Sequence, residues 1–338
     1  MAKLGDIATY INGYAFKPSD WSTEGLPIIR IQDLTGSSYK TNKYNGDYDK
    51  KYEVNNGDIL ISWSASLGVF VWKNDRAVLN QHIFKVIFNK KVVDKDFFVY
   101  QVENILRKAQ NSVHGATMKH LTKPVFDSLD FYLPLIEEQK RIAKQLKLIN
   151  LLIDRRNDQI KKLDLLVKSR FIEMFGEPIK NSKGLPLIRL GDYCYLKAGV
   201  TTPADTIHEY SKEYNVPCYG GNGIRGYVKE ATQSGEYPII GRQGALCGNV
   251  KLATGIFHAT EHAVLVKALR PANTVWLYFM LMFMDLYRFH TGAAQPGLAV
   301  KTLNTILVPE ADVNLQNQFA DFVAQVDKSK FVVTAKFQ

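Results

Sequence analysis

Hydrophobic positions along the chain follow two different periods. Over residues 1–134 they come in short runs between turn residues, which predicts strands. The clearest are Pro27-Ile28-Ile29-Arg30-Ile31, then Gly57-Asp58-Ile59-Leu60-Ile61-Ser62-Trp63 after a turn at Asn55-Asn56, then Val69-Phe70-Val71-Trp72 and Ile83-Phe84-Lys85-Val86-Ile87-Phe88. Residues 96–111 read as a helix. From Pro134 the period changes. Ile142, Leu146, Ile149, Ile153, Ile160, Leu163, Val167 and Met174 alternate by four and three, with Arg156 and Arg170 at the remaining seam positions. This is a heptad seam, and at about 1.5 Å per residue it forms a rod of roughly 50 Å. Gly176 and Pro178 stop it. Residues 179–308 return to strands: Val216-Pro217-Cys218-Tyr219, Gly226-Tyr227-Val228, Tyr237-Pro238-Ile239-Ile240 and Ala263-Val264-Leu265-Val266. The apolar run 275–284 is too short for a bilayer, which needs about 20 residues, and predicts a buried helix. Phe319, Val323, Val326, Val333 and Phe337, with Lys330 in the seam, then repeat the helical spacing.

The two strand-rich stretches share their punctuation. Leu4-Gly5-Asp6 matches Leu190-Gly191-Asp192, Gly13 matches Gly199, Pro27 matches Pro217, and His82 matches His262. Gly115-Ala116 matches Gly292-Ala293, Leu133-Pro134 matches Val308-Pro309, and Gln139-x-x-Ile142-Ala143 matches Gln316-x-x-Phe319-Ala320. Solenoid repeats run to about 20–50 residues. A period near 180 is a duplicated domain with its own core. Two related modules with different intervening surfaces suit a protein that reads two different things.

Composition narrows the partner. The formal net charge is +10 over 338 residues, at an ordinary apolar fraction of 46%, which points to a polyanion such as nucleic acid. Residues 137–170 alone hold ten Lys or Arg and five Asp or Glu. Cys194, Cys218 and Cys247 are odd in number and form no Cys-x-x-Cys pair. Buried thiols are therefore expected, with no disulfide framework and no metal site. The N-terminus lacks an apolar signal core, so a cytoplasmic location is expected.

Catalytic motifs are missing from the sequence. There is no Asn/Asp-Pro-Pro-aromatic motif of amino-methyltransferases, no phosphate-binding P-loop and no His-Glu-x-x-His. Gly221-Asn222-Gly223-Ile224-Arg225-Gly226 satisfies Gly-x-Gly-x-x-Gly, but a dinucleotide site needs a helix after it, and Tyr227-Val228 reads as strand. These glycines better suit close approach to a ligand backbone.

The loops hold the candidate readers. Arg and Asn or Gln pair with guanine and adenine in the major groove, while Lys and Ser favour phosphate. On that basis the DNA-binding candidates are Arg30, Gln32, Ser64, Ser66, Gln81, His114, Lys119, His120 and Lys123 in the first copy. In the second they are Asn222, Arg225, Arg242, Gln243, Gln295 and Lys301, with residues 241–245 corresponding to 62–66. His82 and His262 read first as structural histidines.

Three stretches carry a resemblance to the specificity (S) subunit of type I restriction–modification systems. They are Leu133-Pro134-Leu135-Ile136-Glu137-Glu138-Gln139-Lys140-Arg141-Ile142 at the start of the long helix and Lys168-Ser169-Arg170-Phe171-Ile172-Glu173-Met174-Phe175-Gly176 at its exit. The third is Tyr219-Gly220-Gly221-Asn222-Gly223-Ile224-Arg225-Gly226-Tyr227 with Ile240-Gly241-Arg242-Gln243-Gly244-Ala245. The resemblance implies an α+β protein with two duplicated target-recognition domains, separated by an antiparallel coiled coil of two long conserved helices. The domains would span 1–134 and 179–308, the helices 135–178 and 309–338. It also implies a subunit that is not catalytic by itself and reads the halves of an interrupted site on double-stranded DNA. Two methylation subunits and the restriction subunits would dock on it. S-adenosylmethionine, ATP and Mg2+ would be used by those partners, with no cofactor in this chain. The second copy departs from the pattern: its helix start, 308–316, is degraded, and its helix ends at Gln338, the counterpart of Lys161, without the Phe-Gly exit. A stand-alone DNA-binding regulator, or the specificity part of a bifunctional type II restriction enzyme, remains as an alternative.

Overall fold

Chain contacts divide the molecule into two units, Met1–Asp154 and Arg155–Gln338, in a computed structural model that describes residues 1–111, 121–292 and 296–334. The division falls inside one uninterrupted helix, Ile136–Phe175.

In the first unit, four antiparallel strands form a sheet in the order Thr9–Asn12, Ile83–Ile87, Ile59–Ser62 and Gly68–Val71. The Ile83–Ile87 and Ile59–Ser62 strands are almost wholly buried, so they read as continuous apolar runs rather than alternating ones. A smaller sheet joins Lys43–Tyr44, Leu26–Ile29, Ala77–Leu79 and Glu53–Val54, and in it Ile28 and Ile29 run parallel to Val78 and Leu79. Helix Lys95–Asn111 buries Phe97, Phe98, Val102 and Leu106 on the larger sheet's core.

The second unit builds one six-stranded sheet from the same parts. Its order is Cys194–Ala198, Ala263–Ala268, Gln233–Gly241, Val250–Ala259, Val216–Gly220 and Gly223–Val228. Here too one pair is parallel, Cys218 and Tyr219 beside His258 and Ala259. The apolar run expected to be a buried helix is helix Thr274–Phe283, with Trp276, Leu277, Met280 and Leu281 buried.

The duplication is exact enough to be traced bond by bond. Gly13 N–H donates to Ile83 O and Tyr14 N–H to Leu79 O; Gly199 N–H donates to Ala263 O and Val200 N–H to Ala259 O. A Cβ on Gly13 would lie 2.0 Å from Asn80 O, and one on Gly199 2.1 Å from Ala259 O. No side chain fits at either place, which explains why both copies keep glycine there.

The helix starts agree as well. Gln139 is buried, accepts from Asp94 N–H (2.9 Å) and donates to the carbonyl of Pro134 (2.8 Å). Gln316 is buried, accepts from Asn273 N–H (2.8 Å) and donates to Ala311 O (2.8 Å). The second helix start therefore works like the first despite its divergent sequence.

Within the second unit, the end of the long helix packs antiparallel on helix Val313–Thr334. Phe319 meets both Phe171 and Phe175, Arg170 lies over Phe322, and Lys330 pairs with Asp164 at 2.7 Å. The heptad reading put Arg170 and Met174 in the seam. Instead Phe171 and Phe175 are buried, at 1% and 2% exposure. The last turns leave a two-helix seam and enter a wider aromatic core with Trp276 and Phe283, which shifts the buried face by one residue. In the first unit the seam residues Ile149 and Ile153 stay 46% and 41% exposed.

One predicted strand is shorter than expected. It covers Leu26–Ile29, and Arg30 caps a short helix, Ile31–Thr35. The Asp33 side chain accepts the Arg30 N–H at 2.9 Å, which satisfies an amide the ladder would otherwise hold.

Candidate nucleic-acid interface

The matched scaffold places the candidate readers in matched loops. After strand Ile59–Ser62 the chain runs Trp63-Ser64-Ala65-Ser66, and after Gln233–Gly241 it runs Arg242-Gln243-Gly244-Ala245. Trp63 N–H donates to His82 O and Arg242 N–H to His262 O; Leu121 N–H donates to Trp63 O and Leu298 N–H to Arg242 O. Ala65 and Gly244, at equivalent positions, both have positive φ, 56° and 74°. The expected correspondence of 62–66 with 241–245 is thus a shared backbone turn. A second turn, Gln81-His82 or Glu261-His262, leads into the next strand in each copy, and all four residues are half-buried.

Arg30 is not a free reader. Its guanidinium bonds Asp33 (3.3 Å), the Ser38 hydroxyl (3.1 Å) and the Lys40 carbonyl (2.7 Å), and its side chain is only 19% exposed. It clamps the 30–40 loop. Ser64 is buried at 5% exposure, so its hydroxyl does not face a ligand. Gln32 and Ser66 are exposed. Gln81 sits in its turn with its N–H on Tyr14 O. Lys123 is exposed but paired with Asp127 at 2.5 Å. His114, Lys119, His120 and Gln295 lie outside the described residues.

The second unit brings its candidates together. The Val216–Gly220 and Gly223–Val228 strands form a hairpin whose turn carries Asn222, with Arg225 on the second strand, both exposed. The Gly-x-Gly-x-x-Gly stretch is followed by strand, which removes a dinucleotide site. Asn222 accepts from the Asn249 amide at 3.0 Å. Gly221 lies so close to Gly241 Cα and His262 O that a Cβ would stand 3.1 Å from each, so the hairpin tip crosses the 241–245 turn. Arg242 is half-buried, its Nη1 on the Glu261 carbonyl (3.3 Å), while Gln243 and Lys301 are exposed.

Sequence reasoning missed three neighbours. Glu261 accepts the Thr202 N–H through Oε2 at 3.0 Å, and its Oε1 lies 3.2 Å from His262 Nε2. The Thr202 hydroxyl donates to Val200 O, so His258 Nε2, 2.8 Å away, is the donor in that contact. Burial pushes the His258 pKa down, with Glu261 opposing. In the first unit Tyr14, 48% exposed, packs on Tyr52, whose ring carries Lys51. Only the pairing of the two copies would have singled these residues out. Cys194, Cys218 and Cys247 are buried free thiols; desolvation raises the Cys194 pKa to about 12. Among the described residues no helix is long and apolar enough to cross a membrane.

Residues 1–163 match the family model of the type I restriction modification DNA specificity domain. The chain is similar to the EcoprrI type I restriction specificity subunit of Escherichia coli, 44% identical over 139 residues, which is 41% of this chain and 35% of that one. It is also similar to the EcoBI specificity subunit of E. coli, at 26% over 49% of this chain and again 35% of the relative. These matches therefore span about a third of the relatives' length. Similarity to the MjaVIII specificity subunit of Methanocaldococcus jannaschii is 22% over 97% of this chain and 85% of that one. In fold, the chain is like the S subunit of a type I restriction–modification system from M. genitalium, with TM-score 0.59, 15% identity and coverage of 99% and 90% of the two chains. A chain from a structural study of type I complex assembly is similar at TM-score 0.54 and 15% identity, covering 99% and 91%. Residues 1–163 thus match the type I restriction modification DNA specificity domain, and the chain as a whole resembles specificity subunits of type I restriction–modification systems in sequence and in fold.

Proposed function

We propose that the chain is the DNA-reading subunit of a type I restriction–modification enzyme and that each unit reads one half of an interrupted site. One observation carries this reading. Two units share a set of matched backbone hydrogen bonds around their loops, yet present different side chains there: Trp63 against Arg242, Gln81 against Glu261. A duplicated scaffold with divergent faces is what two different half-sites require. The net charge of +10 supplies the sequence-independent attraction to phosphate.

The chain acts as a scaffold in this reading, in the cytoplasm and without catalysis of its own. Methylation subunits bring S-adenosylmethionine, and restriction subunits bring ATP and Mg2+. Exposed Leu148, Ile149, Leu151, Leu152 and Ile153, each 41–52% accessible, support docking of apolar partner surface on the long helix. That helix also serves as spacer, so four residues inserted near Asn157, about 6 Å of helix, lengthen the gap between half-sites by one or two base pairs.

The test is sequencing of methylated bases in cells expressing the chain with its methylation partner. A two-part motif with an unspecified spacer is expected. A continuous motif, or none, would overturn the proposal.

A further inference from the structure

We propose that Glu261 is a specificity-determining residue of the second unit, its carboxylate accepting a hydrogen bond from the exocyclic amino group of a base in the major groove. Gln81 holds the equivalent place in the first unit. This inference rests on the DNA-reading function proposed above and adds to it which group reads and what chemistry it reads.

The position is defined by the scaffold. Residues 81–86 and 261–266 have the same sequence of burial, two half-buried turn residues and then four buried strand residues. Both turns follow a residue bonded to the parallel strand: Asn80 N–H donates to Ile29 O, and Thr260 N–H to Tyr219 O. Both end in a histidine whose carbonyl accepts the N–H of the neighbouring reading loop, from Trp63 or Arg242. The side chain at 81 or 261 is therefore carried beside that loop in both copies, although the turns differ locally: His82 has a positive φ of 71°, and the Gln81 N–H bonds Tyr14 O while in the second copy Ala263 N–H bonds Thr260 O.

Charge makes the carboxylate informative. Its neighbour in the reading loop is Arg242, whose Nη1 lies 3.3 Å from the Glu261 carbonyl. A carboxylate on a surface that faces phosphates is repelled unless it meets a hydrogen-bond donor. Base edges in the major groove offer donors only as amino groups, cytosine N4 and adenine N6. Glu261 has capacity for one. A carboxylate has about four acceptor directions; Thr202 N–H takes one at 3.0 Å, and His262 Nε2 lies 3.2 Å from the other oxygen. Those contacts also fix its rotamer, and its side chain stays 29% exposed. Arg242 is held alongside by its bond to the Glu261 carbonyl, so a guanine-type donor group and an amino-type acceptor stand next to each other. In the first unit the matched pair differs in kind. The single indole N–H of Trp63 is taken by Asn12 at 3.0 Å, which leaves the Gln81 amide as the hydrogen-bonding group. That amide makes no side-chain bond among the described residues and suits adenine, donor and acceptor together.

The experiment compares wild type, Glu261→Gln, Glu261→Ala and Gln81→Glu, each as the full chain co-expressed with its methylation partner, by the methylated motif and by relative methylation of sites altered one base at a time. In Glu261→Ala, discrimination at one base pair of one half-site should fall by about 5- to 150-fold. In Glu261→Gln, which is nearly isosteric and keeps the Thr202 bond, preference at that same base pair should move. Whether cytosine or adenine was read there identifies the amino group. The other half-site should stay as it was, which shows that the variant is folded and assembled. Gln81→Glu should change only the opposite half. If both Glu261 variants and Gln81→Glu keep the wild-type preference at every position, the inference is wrong. If wild type itself yields no two-part motif, it is the DNA-reading proposal that fails.

Discussion

Replacing Gln139 with leucine isolates the joint between the first unit and its long helix. The side chain is 1% exposed and makes two bonds, from Asp94 N–H at 2.9 Å and to Pro134 O at 2.8 Å. Leucine has similar volume and makes neither. Each buried backbone group left unpaired costs about 1–3 kcal/mol, so the loss of two should be roughly 2–6 kcal/mol, a large part of the 5–15 kcal/mol typical of a folded domain. The effect should also be local. Asp94 caps the Lys95–Asn111 helix through Phe97 N–H, so hydrogen exchange should accelerate in residues 94–111 and stay unchanged in 273–283. Gln316→Leu should do the reverse, because it releases Asn273 N–H and Ala311 O. Denaturant unfolding followed by hydrogen exchange gives both numbers. A loss under about 0.5 kcal/mol, or equal acceleration in both helices, would mean that the Gln139 bonds do not hold this joint.

Three further outcomes follow from the same geometry. Phe171→Ala removes a fully buried ring from contact with Phe175, Phe283 and Phe319; it should destabilise the second unit by about 3–5 kcal/mol, measured by denaturant midpoint. His258 has its pKa held down by burial, so the unfolded chain binds the proton more readily; stability of the second unit should fall as pH drops below about 6.5, and His258→Gln should flatten that part of a melting-temperature profile. Arg242→Ala should weaken cognate DNA by about 1–3 kcal/mol with little effect on random DNA, whereas Lys301→Ala should weaken both and lower the salt slope by about one; equal losses for Arg242→Ala on the two DNAs would exclude base readout by it.

The sequence was most legible where sterics leave one choice. Gly13 and Gly199 recur because a Cβ would overlap a carbonyl oxygen, and Gln139 and Gln316 because each closes two backbone groups. The long helix was legible from its seam alone. Other features depend on tertiary partners and left no local mark. Arg30 looked like a reader because its loop partners, Ser38 and Lys40, are eight and ten residues away. Strand Val250–Ala259 was not predicted, since its burial alternates irregularly as it passes from one neighbour strand to the next. The apparent decay of the second helix start was misleading, because only its glutamine and a capping Asp312 do the structural work. Glu261 gained meaning only when its backbone was matched to that of Gln81.

The most direct test of the account is the methylated motif before and after residues 10–120 are replaced with the corresponding segment of another specificity subunit. One half of the motif should change while the other half and the spacer length remain. A chimera that altered both halves, or left both as they were, would contradict it.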